Sequence, residues 1–99
     1  MLNIKKSIAG GDAEITLEGR LDTVTAPELE EILKDVLPGV SSLTLDFAAL
    51  EYISSAGLRV LLAAQKVMNT QGKMKVCNAN DAIMEIFEVT GFSEILTIE

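Results

Sequence analysis

Apolar and polar residues alternate through most of the first 21 positions. The alternation begins over 2–8, where Lys6 interrupts it, and runs more cleanly over 13–21. A period of two places every second side chain on one face of a strand, so both runs predict half-buried β-strands. Gly10-Gly11-Asp12, between them, is a hairpin turn signal. We therefore expect a β-hairpin at the start of the chain.

Later segments carry the helical period, in which apolar residues return every three or four positions. The first follows Thr25-Ala26-Pro27-Glu28, which matches a capping box with a proline in the first turn, and Pro38-Gly39 ends it. The second runs over about 56–71 and stops at Gly72.

A third helix is predicted after residue 80. Asn78 or Asn80 is placed to cap it, and Ile83, Ile86 and Phe87 form its apolar side. Gly91 is placed to close this helix in the left-handed conformation.

Three short apolar runs, at 43–47, 73–77 and 95–98, complete the pattern and give the order ββαβαβα plus a terminal segment. Strand–helix–strand crossovers imply partly parallel pairing. We expect an α/β fold in a single domain over 1–99, with a mixed β-sheet of four to five strands packed with three or more α-helices. Cys77 lies among the strand residues and is expected to be a small core side chain.

Charge and cysteine content restrict the possible partners and the compartment. The net charge is −7, from 15 acidic and 8 basic residues. Because nucleic-acid binding needs a basic face, this balance favours basic or mixed protein partners over nucleic acid. One cysteine allows no internal disulfide and favours a reducing cytoplasm. The longest apolar stretch is too short and too charged for membrane insertion.

The sequence offers little for catalysis. It contains no histidine, so the commonest general base and a main transition-metal ligand are absent. The segment Ile53–Gly57 lacks the first glycine of the G-x-S-x-G nucleophile elbow, and no phosphate-binding glycine loop or calcium loop occurs. We expect no catalytic residues, no metal and no cofactor, and we interpret the chain as a non-enzyme.

Two adjacent serines, Ser54 and Ser55, stand where the second helix begins. A helix N-cap is their simplest role. An N-cap hydroxyl is also accessible to a kinase, and the positive end of a helix stabilises a phosphoryl group. Arg59 lies one turn beyond Ser55 on the same helical face. It is either a solvated charge, an interface contact or an intrahelical partner for a phosphoserine.

Three further polar residues are candidates for partner binding. Asp46 stands at the predicted C-terminal end of a strand, where sites in parallel sheets commonly lie, although it can equally hydrogen-bond the following loop. Asp22 and Thr23 follow the second strand and form, in the simplest interpretation, a turn leading into the Thr25 cap.

The chain resembles the STAS-domain anti-sigma factor antagonists of bacteria over essentially its whole length. The specific segment is Tyr52–Leu61, which includes Ser54, Ser55, Ala56 and Gly57. Weaker matches are Gly19–Asp22 with Thr25-Ala26, Leu45-Asp46-Phe47 and Phe87–Phe92.

The resemblance implies a partner switch. The unphosphorylated protein would bind an anti-sigma factor that is also a serine kinase and so free the sigma factor. Phosphorylation would then dissociate the complex, and a metal-dependent serine phosphatase would reset it. The family's phosphorylated serine stands two positions before the glycine, which is Ser55 here, with Ser54 as the alternative. The implied partner-binding residues are Asp22, Thr23, Asp46, Ser54, Ala56, Gly57 and Arg59.

Two departures from the family pattern stand out. The aspartate that precedes the phosphoserine in the family is Ser54 here. The sequence ends at Glu99, where many relatives carry a further helix, so we expect one sheet face or helix to be thinly covered or completed by a partner. Charge and size favour a free monomer in the cytoplasm. One competing hypothesis is a STAS interaction module of another signalling or transport complex without sigma control, and another is a small nucleotide-binding protein or enzyme.

Overall fold

The computed structural model describes residues 2–99 and contains one five-stranded sheet with four helices. The strands are β1 (Leu2–Ala9), β2 (Asp12–Leu21), β3 (Ser42–Ile53), β4 (Lys73–Cys77) and β5 (Thr97–Ile98). The helices are α1 (Ala26–Val36), α2 (Ser55–Asn69), α3 (Asp81–Thr90) and α4 (Phe92–Ile95). The predicted mixed sheet is confirmed, and the terminal segment resolves into the short α4 and β5.

The strands lie in the sheet in the order in which they occur in the chain, β1-β2-β3-β4-β5. The hairpin strands β1 and β2 are antiparallel, and every later pair is parallel. Since parallel neighbours need a crossover connection, each of these pairs is joined through helical segments. The carboxyl ends of β2, β3 and β4 therefore lie at one edge of the sheet.

The two faces of the sheet differ in polarity. Ile15, Leu45 and Val76 occupy one register row and are fully buried. The neighbouring row, Glu14, Thr44 and Lys75, points to the opposite face and is exposed or half-buried. The first face belongs to the single core formed with the helices, whose two fully buried phenylalanines, Phe47 and Phe87, have ring centroids 6.4 Å apart.

The prediction that Cys77 is a core side chain is wrong. Cys77 pairs with Asp46 in the row of the polar face and is half-buried, whereas its neighbour Val76 points into the core. Partial burial, together with the nearby Asp46 carboxylate, raises the pKa of the thiol.

Strand β3 is longer than the sequence predicts. It continues beyond Phe47 to Ile53, and its register against β2 shifts twice, between Thr16 and Glu18 and between Gly19 and Arg20. Each shift adds one residue on β3, so its apolar residues no longer keep a period of two. The loop expected before α2 is therefore strand, and a single residue joins β3 to α2.

The ends of α3 follow the predicted signals. Asn80 is the N-cap, and its side-chain oxygen accepts a hydrogen bond from the Ile83 N–H at 2.8 Å. Asn78 is not the cap; it has a left-handed backbone with φ of 62°. Gly91 closes the helix with φ of 82°, as predicted. No helix within residues 2–99 is long and apolar enough to cross a membrane.

Replacing Gly72 by alanine should destabilise the protein. A Cβ at this position would overlap the backbone carbonyl of Ser41, which cannot rotate away. We expect a loss of about 2–3 kcal/mol in the free energy of unfolding, measured by urea denaturation. Gly11→Ala is the matched control, because the only close contact of its added Cβ is with the exposed Ser41 hydroxyl, at 2.7 Å, and this side chain can turn at the loss of one exposed hydrogen bond to the Gly11 carbonyl oxygen. Equal losses in the two variants would contradict this account.

Candidate functional site

The junction between β3 and α2 consists of Ser54 alone. Its backbone is extended (φ −99°, ψ 175°), and its N–H donates to the carbonyl oxygen of Leu21, at the end of β2, at 2.8 Å. Its carbonyl oxygen accepts from the Leu58 N–H at 2.9 Å, and its hydroxyl oxygen accepts from the Gly57 N–H at 3.4 Å. Ser54 is therefore the N-cap of α2, and its half-buried side chain has a structural role.

Ser55 is the first residue of α2 and is exposed. Within residues 2–99, no hydrogen bond engages its hydroxyl group. The N–H groups of Ser55 and Ala56 belong to the first turn, where the helix itself offers no acceptor. The first turn of α2 contains no acidic residue, so its positive end is not compensated there. Ser55 thus presents a free hydroxyl where added negative charge is stabilised.

Gly57 brings the start of α2 into close contact with the sheet. It is buried, and a Cβ at this position would lie 2.7 Å from Leu21 Cγ and 2.9 Å from Ile53 Cγ1. Only glycine allows this approach, because both neighbours are fully buried core residues.

The turn between β2 and α1 is organised by the Asp22 carboxylate. Asp22 Oδ1 accepts from the backbone N–H groups of Val24 and Thr25, each at 3.0 Å. These hydrogen bonds, led by the one from Thr25, hold the pKa of Asp22 below its usual 3.8. Val24 is held at the tip of this turn with its side chain 80% exposed.

The predicted capping box at Thr25 is wrong. Thr25 is buried with helical φ and ψ, and its hydroxyl makes no capping hydrogen bond to α1. The hydroxyl instead donates to the Arg20 carbonyl oxygen at 2.8 Å and accepts from the Asp22 N–H at 2.8 Å. Because the side chain points back toward β2, it ties the turn to the sheet.

The turn after β2 and the start of α2 meet across a cleft of about 210 Å³, which we call the α1–α2 cleft. One wall comes from the turn and α1, and the other from α2. Its lining residues are Thr23, Ala26, Pro27, Glu30, Ala56, Arg59 and Val60. The structure thereby brings the candidates Thr23, Ala56 and Arg59 together, beside Ser55.

Asp46 does not lie in this group. It is in the middle of β3, eight residues before Ser54, and not at the end of the strand. Its Oδ1 accepts from the Ala48 N–H at 2.9 Å and from Asn78 Nδ2 at 3.1 Å. The expected hydrogen bonds to a following loop are not found, because β3 continues past Asp46 and its partners lie in β3 and after β4. The role of Asp46 in partner binding stays a prediction.

Sequence reasoning missed one exposed contact near the site. The Arg20 guanidinium lies 4.5 Å from the centroid of the Tyr52 ring, on paired positions of β2 and β3 two residues before Ser54. These two side chains are neighbours only because of the register between β2 and β3. The sequence does not predict that register, because it shifts twice along β3.

These features define a small α/β domain that presents a surface, centred on the N-terminus of α2, in place of an enclosed pocket. The family model described as STAS domain matches residues 3–99. The chain belongs to the STAS domain family.

Comparisons with individual proteins agree with this assignment. BtrV of Bordetella bronchiseptica, named as a candidate anti-sigma factor antagonist, is 38% identical over 84 residues, covering 83% of this chain and 72% of BtrV. The crystal structure of an anti-sigma factor antagonist from Mycobacterium paratuberculosis superimposes with a TM-score of 0.90 at 23% identity, covering 99% of this chain and 85% of that one. The phosphorylated form of SpoIIAA, a Bacillus cell fate determinant, gives a TM-score of 0.77 at 15% identity, covering 98% of this chain and 91% of that one.

Substituting Gly57 by valine should disturb the start of α2. The new side chain would collide with Leu21 and Ile53, both in the core. We expect a loss of about 1–3 kcal/mol in the free energy of unfolding by urea denaturation. Ala63→Val, at an exposed position of α2, should lose only about 0.5 kcal/mol through helix propensity. A Gly57→Val variant no less stable than this control would remove the proposed packing role.

Stability should depend on the ionisation of Asp22. Its pKa is lowered in the folded state, so the ionised carboxylate stabilises the protein above pH 3.8, and this stabilisation is lost as the pH falls through the folded-state value. We expect Asp22→Asn to be less stable than wild type at neutral pH, with the difference shrinking as the pH falls below 3.8. Urea denaturation across pH checks this. A difference that stays constant from neutral pH into strong acid would show that the carboxylate charge is not responsible.

Proposed function

We propose that this protein is a phosphorylation-controlled anti-sigma factor antagonist. Its unphosphorylated form binds an anti-sigma factor that is also a serine kinase and so releases the sigma factor. Phosphorylation at Ser55 switches this binding off, and a serine phosphatase restores it. The observation that carries the proposal is the exposed, uncommitted Ser55 hydroxyl at the N-terminus of α2. Membership of the STAS family and the names of its relatives support the role.

The two serines are unequal as phosphorylation sites. The Ser54 oxygen accepts the Gly57 N–H and is half-buried, so a kinase acting there would have to break the cap of α2. Ser55 has no such bond and faces solvent. We therefore assign the modification to Ser55 and the capping of α2 to Ser54.

The partner supplies the chemistry in this proposal. Ser55 Oγ attacks the γ-phosphorus of ATP held by the kinase, the bond from that phosphorus to the β,γ-bridging oxygen breaks, and ADP leaves. The hydroxyl proton passes to a base on the kinase. Hydrolysis by the phosphatase returns the serine and inorganic phosphate. The protein itself is a substrate and ligand, with no catalytic residue, metal or cofactor of its own.

Charge explains why the modification would release the partner. The binding surface comprises the turn after β2 and the first turns of α2. Its proposed contact residues are Asp22, Thr23, Ser54, Ala56, Gly57 and Arg59. A phosphoserine carries nearly two negative charges, and placing them in a packed interface requires their desolvation. Because Ser55 lies in the middle of this set, we infer a loss of affinity of a hundredfold or more.

The remaining features of the proposal follow from charge and composition. With a net charge of −7, the protein is proposed to bind proteins and not nucleic acid, and to be a monomer when free. Its single cysteine favours the reducing cytoplasm as its compartment.

Mass spectrometry of the protein purified from its own host tests the assignment. We expect wild type and Ser54→Ala to carry one phosphoryl group on residue 55 and Ser55→Ala to carry none. Ser55→Ala should fold normally and bind its kinase persistently, because residue 55 is exposed.

Two outcomes would contradict the assignment. A phosphoryl group on Ser54 would keep the switch and move its site. No phosphoryl group under any growth condition would favour the alternative, a STAS interaction module of another signalling or transport complex whose serines only begin a helix.

A further inference from the structure

Arg59 is a cation without an ion-pair partner. No carboxylate oxygen of residues 2–99 lies within 4.0 Å of its side-chain nitrogens. Glu30 lines the same α1–α2 cleft and is not paired with it. Arg59 is the one basic side chain among the described residues that line this cleft.

On α2 itself, only one residue can become an ion-pair partner of Arg59. Its neighbours at three and four positions are Ser55, Ala56, Leu62 and Ala63. Only Ser55 carries a polar group, and α2 contains no acidic residue over its whole length. Ser55 lies on the N-terminal side of Arg59 at the i,i+4 spacing, which is the favourable orientation for an anion–cation pair on a helix.

We propose that Arg59 is the internal partner of phosphorylated Ser55, so that phosphorylation withdraws the free cation from the α1–α2 cleft. This inference rests on the proposed function, because it concerns the same serine. The guanidinium group binds phosphate oxygens through two parallel N–H donors. The free N–H groups at the start of α2 hold the phosphate from its other side.

Phosphorylation changes the net charge of the cleft, and pairing also takes the guanidinium group away from a partner. Before phosphorylation, the cleft offers a guanidinium to an anionic group of a partner, opposite Glu30. After phosphorylation, Arg59 is occupied, and Glu30 and the phosphate remain as the charges that a partner meets. The cleft therefore changes from mixed charge to net negative, without any change in the fold.

The test uses the full chain with phosphoserine installed at position 55 during translation, so no kinase is needed. The second pKa of the phosphate is followed by ³¹P NMR in wild type and in the Arg59→Gln variant. A paired cation favours the dianion, so we expect this pKa to be higher in Arg59→Gln by about 0.3 unit or more. Lys66→Gln, which removes the other cation of α2, should match wild type, and Arg59→Lys should restore part of the lowering.

A second measurement observes the arginine directly. The Arg59 Nε–Hε resonance should move on phosphorylation in the wild-type protein and should move less at high salt, because screening weakens an exposed pair. Residue 59 is exposed, so its variants should fold. Equal phosphate pKa values in wild type and Arg59→Gln, or an unmoved Arg59 resonance, would overturn the proposal.

Failure of this inference is distinguishable from failure of the proposed function. If no phosphoryl group is found on the natural protein while the installed phosphate shows the pKa difference, the pairing stands and the switch fails. If Ser55 is phosphorylated in the host while Arg59→Gln leaves the phosphate pKa unchanged, the switch stands and Arg59 has no part in it.

Discussion

The backbone hydrogen bond from Ser54 to Leu21 fixes the position of α2 on the sheet. It joins the end of β3 to the end of β2 at the point where α2 begins. Three residues later, Gly57 packs directly on Leu21 and Ile53, so the first turn of the helix lies close against the sheet. Because Asp22 follows Leu21 directly, the same junction places the β2–α1 turn beside Ser55. The candidate site, apart from Asp46, depends on this arrangement.

The adjacent residues Ser54 and Ser55 have different roles, one in capping α2 and the other, as proposed, in phosphorylation. Ser54 satisfies the Gly57 N–H and begins the helix, while Ser55 points to solvent with its hydroxyl free. A group added to Ser55 therefore alters the surface without removing the cap that holds α2. This separation suits the proposed binding switch, since a partner would meet the change in charge while the core and the sheet keep their packing.

Residues with strong local preferences made much of the fold predictable. The alternation over 13–21, the Asn80 cap and the left-handed Gly91 each follow from short-range chemistry and are found as expected. The predictions were wrong where tertiary contacts determine the local structure. Thr25 has the sequence of a cap, but burial turns its hydroxyl toward the Arg20 carbonyl.

The same limit applies to the candidate site. Two register shifts in β3 break its alternation of apolar residues, so its continuation to Ile53 could not be predicted from the sequence. For the same reason, Asp46 was placed at the end of the strand instead of in its middle. Ser54, Ser55 and Arg59 could be found from their spacing on one helix. Their proximity to Thr23 could not, because the α1–α2 cleft forms only when the helices pack.

The serine at position 54 removes the negative charge that the family pattern implies there, while it still caps α2. The family pattern implies an aspartate there, and aspartate and serine are comparably good N-caps. Serine accepts the Gly57 N–H but brings no charge, so the first turn of α2 holds no acidic residue. The positive end of the helix is then left uncompensated, and the proposed phosphate at Ser55 would compensate it. With no carboxylate at position 54, that phosphate would be repelled less, and the unpaired Arg59, one turn away, is the nearest cation on α2 that would complete its neutralisation.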